Sequence, residues 1–252
     1  GHAARWYREF TRMSAVFGLF ADAAMLVLGG DLKRRERLSA RLGDGLSYLY
    51  LGSAVLKRFH DQGEPEADRA LLDWSCQTCL YSMQQSLLAL LENFPLKPVA
   101  RLLRAWAFPL GLRYKAPTDR LADAVADVIQ QPGDARDRLT QGLFLPLAGH
   151  EPLGRLEEAL VRTLAAEPIL TRIRAAMRDK RIAPGDCEAR IDVAVEAGII
   201  SADEAAVVQA AQVARRQVIE VDDFTADQFN PQINTGMPQW NSDRTASAAR
   251  SM

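Results

Sequence analysis

Two cysteines at positions 76 and 79, in Cys76-Gln-Thr-Cys79, have the spacing of half a metal site or of a redox pair. A tetrahedral metal site needs two further ligands, and the remaining soft candidates are Cys187, His2, His60 and His150. A thioredoxin-like redox pair needs a strand, a loop and a helix around it. Here both cysteines instead fall on an apolar stripe of helical period, where a free cysteine packs as a small hydrophobe. Packing is the expectation, with metal or thiol chemistry as the sharper alternative. The other chemical signatures are missing. His150-Glu151 runs into Pro152, so there is no HExxH. Gly29-Gly30 belongs to neither GxGxxG nor GxxxxGK[ST], and no GxSxG elbow occurs. The three histidines sit at polar or loop positions and read as surface groups. Between 186 and 227 ten Asp/Glu face three Arg, a local charge of −7, read as a solvated acidic face. No residue is assigned a catalytic, cofactor-binding or metal role.

The strongest signal is the segment LKPVARLLRAWAFPLGLRYK, residues 96–115. Lys97, Arg101, Arg104, Arg113 and Lys115 give it a local charge of +5 with no acid. Val99, Leu102, Leu103, Trp106 and Leu110 share one face at helical spacing. A basic amphipathic helix with Trp is the pattern of an interfacial membrane segment, and each basic residue near an anionic leaflet adds roughly 1 kcal/mol. Lys97, Arg101, Leu102, Arg104, Trp106, Arg113 and Lys115 therefore form a candidate membrane or partner surface. In the plainer reading, the apolar face covers a core and the cations point to water.

The elements that must position these residues are helices. Met13, Val16, Phe17, Phe20, Ala24, Val27 and Leu28 follow one helix face, and Asp31 is placed to cap a second helix. That helix carries Leu38, Leu42, Leu46, Leu49 and Leu56, and it tolerates Gly43, Gly45 and Gly52, each costing about 1 kcal/mol of propensity. Close approach of another helix is the expected return. A third helix starts around Pro65 and carries Leu72, Cys76, Cys79, Leu80, Met83, Leu87, Leu90 and Phe94. Prolines 95, 98, 109 and 117 leave room only for a short helix between 99 and 108. Thr118 caps the next helix, and Gln131-Pro132-Gly133 breaks the chain. Leu153, Leu156, Leu160 and Leu164, then Ile169 and Ile173 after Pro168, open a second module. A hairpin over 186–219 ends it, with Gly198 at a helix C-terminus and Ser201/Glu204 as a capping box. The predicted fold is all-α: a long antiparallel bundle over 1–131, a smaller helical module over 132–224, and a disordered tail over 225–252, which contains no Leu or Val.

The whole chain of 252 residues is 48% hydrophobic and 25% charged, with a net charge of −1. This is the balance of a soluble globular protein and not of a nucleic-acid binder. Three cysteines suit a reducing compartment, and the opening GHAARWYREF has no apolar signal region. The start at Gly1 fits either processing or a longer polypeptide. Residues 13–30 carry a single charge, Asp22, and are flanked by basic residues. A mid-span acid costs roughly 3 kcal/mol on insertion, so a buried core helix is expected there in preference to a membrane span.

Several long strings resemble the C-terminal region of the large bacterial acyl-CoA dehydrogenases of fatty-acid β-oxidation. They are LGGDLKRRERLSARLGDGLSYLYLGSAVLKRFHDQGEPEAD (28–68), RYKAPTDRLADAVADVIQQPGDARDRL (113–139), EPLGRLEEALVRTLAAEPI (151–169) and GIISADEAAVVQAAQVARRQVIEVDDF (198–224). The likeness is collinear over about residues 5–224, and 36–94 is more faintly similar to the extra C-terminal helical domain of very-long-chain acyl-CoA dehydrogenase. The resemblance implies a FAD-dependent oxidoreductase that forms trans-2-enoyl-CoA from fatty acyl-CoA. Its flavin motif and catalytic glutamate lie in upstream domains, so no such residue is carried over to this chain. Alone, the chain is expected to be inactive and flavin-free, and within the enzyme to support the catalytic bundle, build an oligomer interface or dock a membrane. Its expected partners are those upstream domains, a second copy of itself and an anionic membrane surface, with fatty acyl-CoA bound in the parent enzyme. The expected location is the cytoplasm, with a peripheral place at the inner face of the cytoplasmic membrane as a further option. The alternatives are a free-standing helical interaction module and, as an outsider, a small thiol or zinc protein.

Overall fold

The computed structural model describes residues 1–144 and 152–219. The tail expected to be disordered and His150-Glu151 lie outside the described residues. The structure is all-helical, with no strand among the described residues, and divides into two compact units, Gly1–Leu143 and Phe144–Met252.

The first unit contains α1 (Ala4–Leu28), a 3₁₀ turn (Gly29–Arg34), α2 (Glu36–Asp61), a short 3₁₀ turn (Glu66–Asp68), α3 (Arg69–Glu92), α4 (Lys97–Ala107), α5 (Asp119–Gln130) and α6 (Asp134–Thr140). Cross-helix pairs set the directions. Tyr7 donates to the Leu56 carbonyl at 3.5 Å, Phe10 lies against Gly52, and Phe17 lies near Gly45, so α1 and α2 run antiparallel. Gly45 also meets Leu87 at the far end of α3, while Asp73 near the start of α3 binds Trp6 of α1. The third helix is central: ten of its residues are buried, among them Leu72, Cys76, Leu80, Met83, Gln84 and Leu87. A helix with apolar residues on every side belongs in the middle of a bundle.

The expected stripe of α1 is found, and it extends back to Trp6 and Phe10. On α2 the buried series is Leu38, Leu42, Gly45, Gly52, Leu56 and Phe59, so Leu46 is a correction: it is 52% exposed, because Gly45 takes the core position beside it. Gly52 bears out the expected close approach. A Cβ built there would lie 2.0 Å from the Phe10 ring, whereas Gly43 faces open space. Asp31 does not cap α2. It lies in the 3₁₀ turn and its carbonyl accepts the Arg35 amide at 3.1 Å, so the helix starts five residues later. Pro65 precedes the 3₁₀ turn that leads into α3.

The second unit is built from α7 (Pro152–Arg178), a 3₁₀ turn (Glu188–Arg190), α8 (Ile191–Glu196) and α9 (Ala202–Ile219). Ala166, Ile169, Leu170, Ile173 and Ala176 of α7 pack with Ala205, Val208 and Ala211 of α9. Pro168 lies inside α7, and the helix continues through it. Pro168 is exposed, so the missing bond to the Leu164 carbonyl lies where water can replace it. Leu153 and Leu156 are also corrections, being 56% and 52% exposed. In that part of α7 the buried positions are Gly154 and Ala159, so the covered side lies away from Leu153 and Leu156. The loop from α8 to α9 follows its sequence. Gly198 has φ +66°, the Ile199 amide reaches the Ala194 carbonyl at 2.9 Å and the Gly198 amide reaches Val195 at 3.0 Å, a Schellman closure. Ser201 and Glu204 then exchange the two bonds of a capping box, at 2.9 and 3.2 Å.

Candidate functional site

The basic segment is held in place by groups that the sequence did not single out. Gln84 of α3 is fully buried. Its Oε1 accepts the backbone amides of Arg113 and Tyr114, both at 3.1 Å, and its Nε2 donates to the Tyr114 carbonyl at 2.9 Å. One side-chain amide thus pairs with the extended backbone after α4 as a neighbouring strand would. Gln77, two turns earlier on α3, donates to the carbonyls of Lys115 and Ala116, each at 3.2 Å. From α1, Arg12 donates to the Ala107 carbonyl at 2.5 Å and to the Tyr114 hydroxyl at 3.1 Å. A cation on the last carbonyls of α4 complements its dipole. The Tyr114 hydroxyl donates to Glu9 at 2.7 Å, and the other Glu9 oxygen pairs with Arg113 at 2.8 Å. Burial, reinforced by Glu9, pushes the Tyr114 hydroxyl up to about 12, so it remains a donor.

α4 therefore sits on the bundle in one fixed rotation. Ala100, Leu103, Ala107 and Phe108 enter the core, and Val99 packs against it. The apolar face expected as a unit is split. Leu103 is buried, while Leu102, Trp106 and Leu110 are 68%, 74% and 100% exposed. Leu19 of α1 joins Leu102, Leu103 and Trp106 around an apolar groove. Lys97, Arg101, Arg104, Arg113 and Lys115 are all exposed; Lys97 also donates to the Glu92 carbonyl at 2.6 Å. The site residues named from the sequence thus lie on one helix and its following strap. The residues that fix them there (Arg12, Glu9, Gln77 and Gln84) belong to α1 and α3.

The apolar exposure continues along α1. That helix with its following turn is the one stretch among the described residues long and apolar enough to cross a membrane, yet one of its faces is committed to the bundle core. Only 22% of its most apolar 18-residue window is buried, and Met25 and Leu26 stay open.

Cys76 and Cys79 are both buried in the bundle core. Burial raises both thiols; for Cys76 the neighbouring Cys79 and Asp73 push the same way. A thiol so raised is a poor nucleophile. Among the described residues no group of three or more His, Cys, Asp or Glu is placed to hold a metal ion. At the other end of the bundle, Asp68 pairs with Arg138 at 2.5 Å, and Arg58 donates to the Arg138 carbonyl at 2.6 Å, which ties α6 to α2 and α3.

Neither of two surface depressions along α2 suits a flavin. The groove between α1 and α2 is lined by Tyr7, Phe10, Thr11, Ser14, Leu49 and Ser53 and has no cation for a pyrophosphate. In the adjoining surface depression Lys57 is held by Asp61 at 2.6 Å and Arg58 by the Arg138 carbonyl. No step is assigned to a flavin on this chain.

No solved structure matches the chain. The family model described as acyl-CoA dehydrogenase, C-terminal, bacterial type, matches residues 1–224, which takes in both helical units and continues beyond the last described helix. The chain, all-helical over its described residues, belongs to the bacterial-type C-terminal domain family of the acyl-CoA dehydrogenases.

Proposed function

We propose that this chain is the accessory C-terminal part of a FAD-dependent fatty acyl-CoA dehydrogenase of β-oxidation, which converts acyl-CoA to trans-2-enoyl-CoA. In this reading the flavin and the catalytic base lie in upstream domains, and this part holds the enzyme peripherally at the inner face of the cytoplasmic membrane. The family match supports the enzyme. The docking role rests on one observation: Leu102 and Trp106 are exposed beside Leu19 on a helix that is clamped at its end by Arg12 and cannot turn them inward. Exposed aromatic and aliphatic side chains on a rigid amphipathic helix suit the headgroup boundary of a bilayer.

Two measurements test the proposal. An antibody against this chain should detect, in native extracts, a flavin-containing product well above 27.8 kDa; a flavin-free product near 27.8 kDa overturns the enzyme reading. The chain should float with anionic liposomes, and Leu102→Glu/Trp106→Glu should not. A parent chain that stays at the bottom of the gradient overturns the docking role.

A second reading has its own support. The outward side of α2 exposes Leu46, Tyr50 and Leu51 at 52%, 73% and 51%. Such a strip suits a second copy of the chain. Light scattering after size exclusion should then give a dimer that Leu46→Lys/Tyr50→Lys converts to a monomer.

A further inference from the structure

The rotation of α4 separates its apolar strip from its cations. At 100° per residue, Ala100, Leu103 and Ala107 define the inner side of the helix. Leu102 and Trp106 occupy the flank next to Leu19, whereas Lys97, Arg101 and Arg104 occupy the opposite flank. A bilayer that receives Leu19, Leu102 and Trp106 approaches the flank of α4 that faces away from Lys97 and Arg104. Positive charge on the Leu19 side is then needed to hold an anionic headgroup.

Along α1, Leu19, Ala23 and Leu26 recur at i, i+4 and i+7 and share one side. Leu26 is 87% exposed and its neighbour Met25 is 59% exposed. The 3₁₀ turn begins three residues after Leu26 and leads through Lys33, Arg34, Arg35 and Arg37, all exposed. Leu32 packs against the core and anchors this turn. Four cations stand there against two acids, Asp31 and Glu36, and the Arg34–Asp31 pair is open at 4.0 Å. Apolar residues on the side that carries Leu19, followed immediately by an excess of positive charge, match the order of acyl chain and phosphate in a leaflet.

We propose that the headgroup-binding part of the docking surface is the α1–α2 turn, with Lys33, Arg34, Arg35 and Arg37 facing anionic phospholipid and Leu26 entering beside them, while α4 supplies apolar contact only. The inference rests on the docking reading and extends it to residues outside the basic segment. It is tested by flotation of the full chain with phosphatidylglycerol/phosphatidylcholine vesicles, and with phosphatidylcholine alone, at low and high salt. Arg34→Gln/Arg35→Gln should lower partitioning onto anionic vesicles about 30-fold and weaken its salt dependence. Arg34→Glu/Arg35→Glu should lower it further, in the same direction. Arg101→Glu/Arg104→Glu should change it by less than about threefold. If the Arg34/Arg35 variants float as the parent does while Leu102→Glu/Trp106→Glu sinks, the turn is not the headgroup site and the docking reading survives. If the Arg101/Arg104 variant is the one that loses salt-dependent binding, the assignment of charge to the turn is overturned. All substituted residues are exposed, and circular dichroism of each variant should be that of the parent.

Discussion

At the scale of single residues, most of the specificity lies in a few polar groups set among apolar ones. Asp73 receives His2 at 2.8 Å, Trp6 at 2.7 Å and Arg5 at 2.8 Å. Burial alone would raise its carboxyl, but the bonds from Trp6, Arg5 and His2 outweigh that and hold it below its ordinary value of 3.8. The folded chain therefore binds this proton less readily than the unfolded one. The resulting stability is complete above about pH 4 and is lost as pH falls through the folded-state value. Asp73→Asn should destabilise the first unit by about 1–2 kcal/mol at pH 7. In urea unfolding across pH, the gap from the parent should close below pH 4; a gap that persists unchanged at pH 3 would refute this role. The cysteines were legible in the sequence because they repeat with the helix period. Asp73, Glu9 and Gln84 were not, since their partners come from distant segments of the chain and no spacing along one helix records them.

At the scale of elements, the strap after α4 depends on one side chain. Gln84→Leu keeps the volume and the helix propensity but leaves the amides of Arg113 and Tyr114 without their acceptor, each at a cost of about 1–3 kcal/mol. Hydrogen exchange should show those two amides losing protection while the α3 amides keep theirs; equal loss throughout α3 would mean that Gln84 serves the bundle as a whole. In the second unit, Pro168 is a defect on the open side of α7. Pro168→Ala should raise the stability of that unit by up to about 3 kcal/mol, measured by thermal unfolding, because the Leu164 carbonyl regains its donor. The elements themselves were largely readable. Thr118 caps α5 through the Leu121 amide, Ser201/Glu204 opens α9 and Gly198 closes α8. What periodicity could not assign was phase: Leu46, Leu153 and Leu156 fit a stripe by spacing, but the neighbouring Gly45 and Gly154 take the covered positions.

At the scale of the whole molecule, each unit has its own buried cluster, one centred on Phe20, Leu80, Met83 and Leu87 and the other on Ile173, Ala194 and Val208. By its contacts the first unit runs to Leu143, and α6 is tied into it by Arg138, which reaches Asp68. Residues 1–144 expressed alone should therefore fold as a helical bundle with a cooperative melt. A fragment ending at 131, which leaves Asp68 buried without its partner, should melt several degrees lower. The fold class is written in composition and period. The long-range ties of α6 to the bundle, from Arg138 to Asp68 and from Arg58 to the Arg138 carbonyl, are not written there.

The contact between the Phe10 ring and the bare backbone at Gly52 also bears on how this family can vary. Neither position can change freely alone: a methyl at 52 meets the aromatic ring, and a smaller group at 10 leaves a void over the glycine. The two should be inherited as a pair, so that homologous sequences with alanine or serine at 52 carry an aliphatic residue at 10. Gly52→Ala should be rescued by Phe10→Leu in a double-mutant cycle with a coupling of about 1–2 kcal/mol.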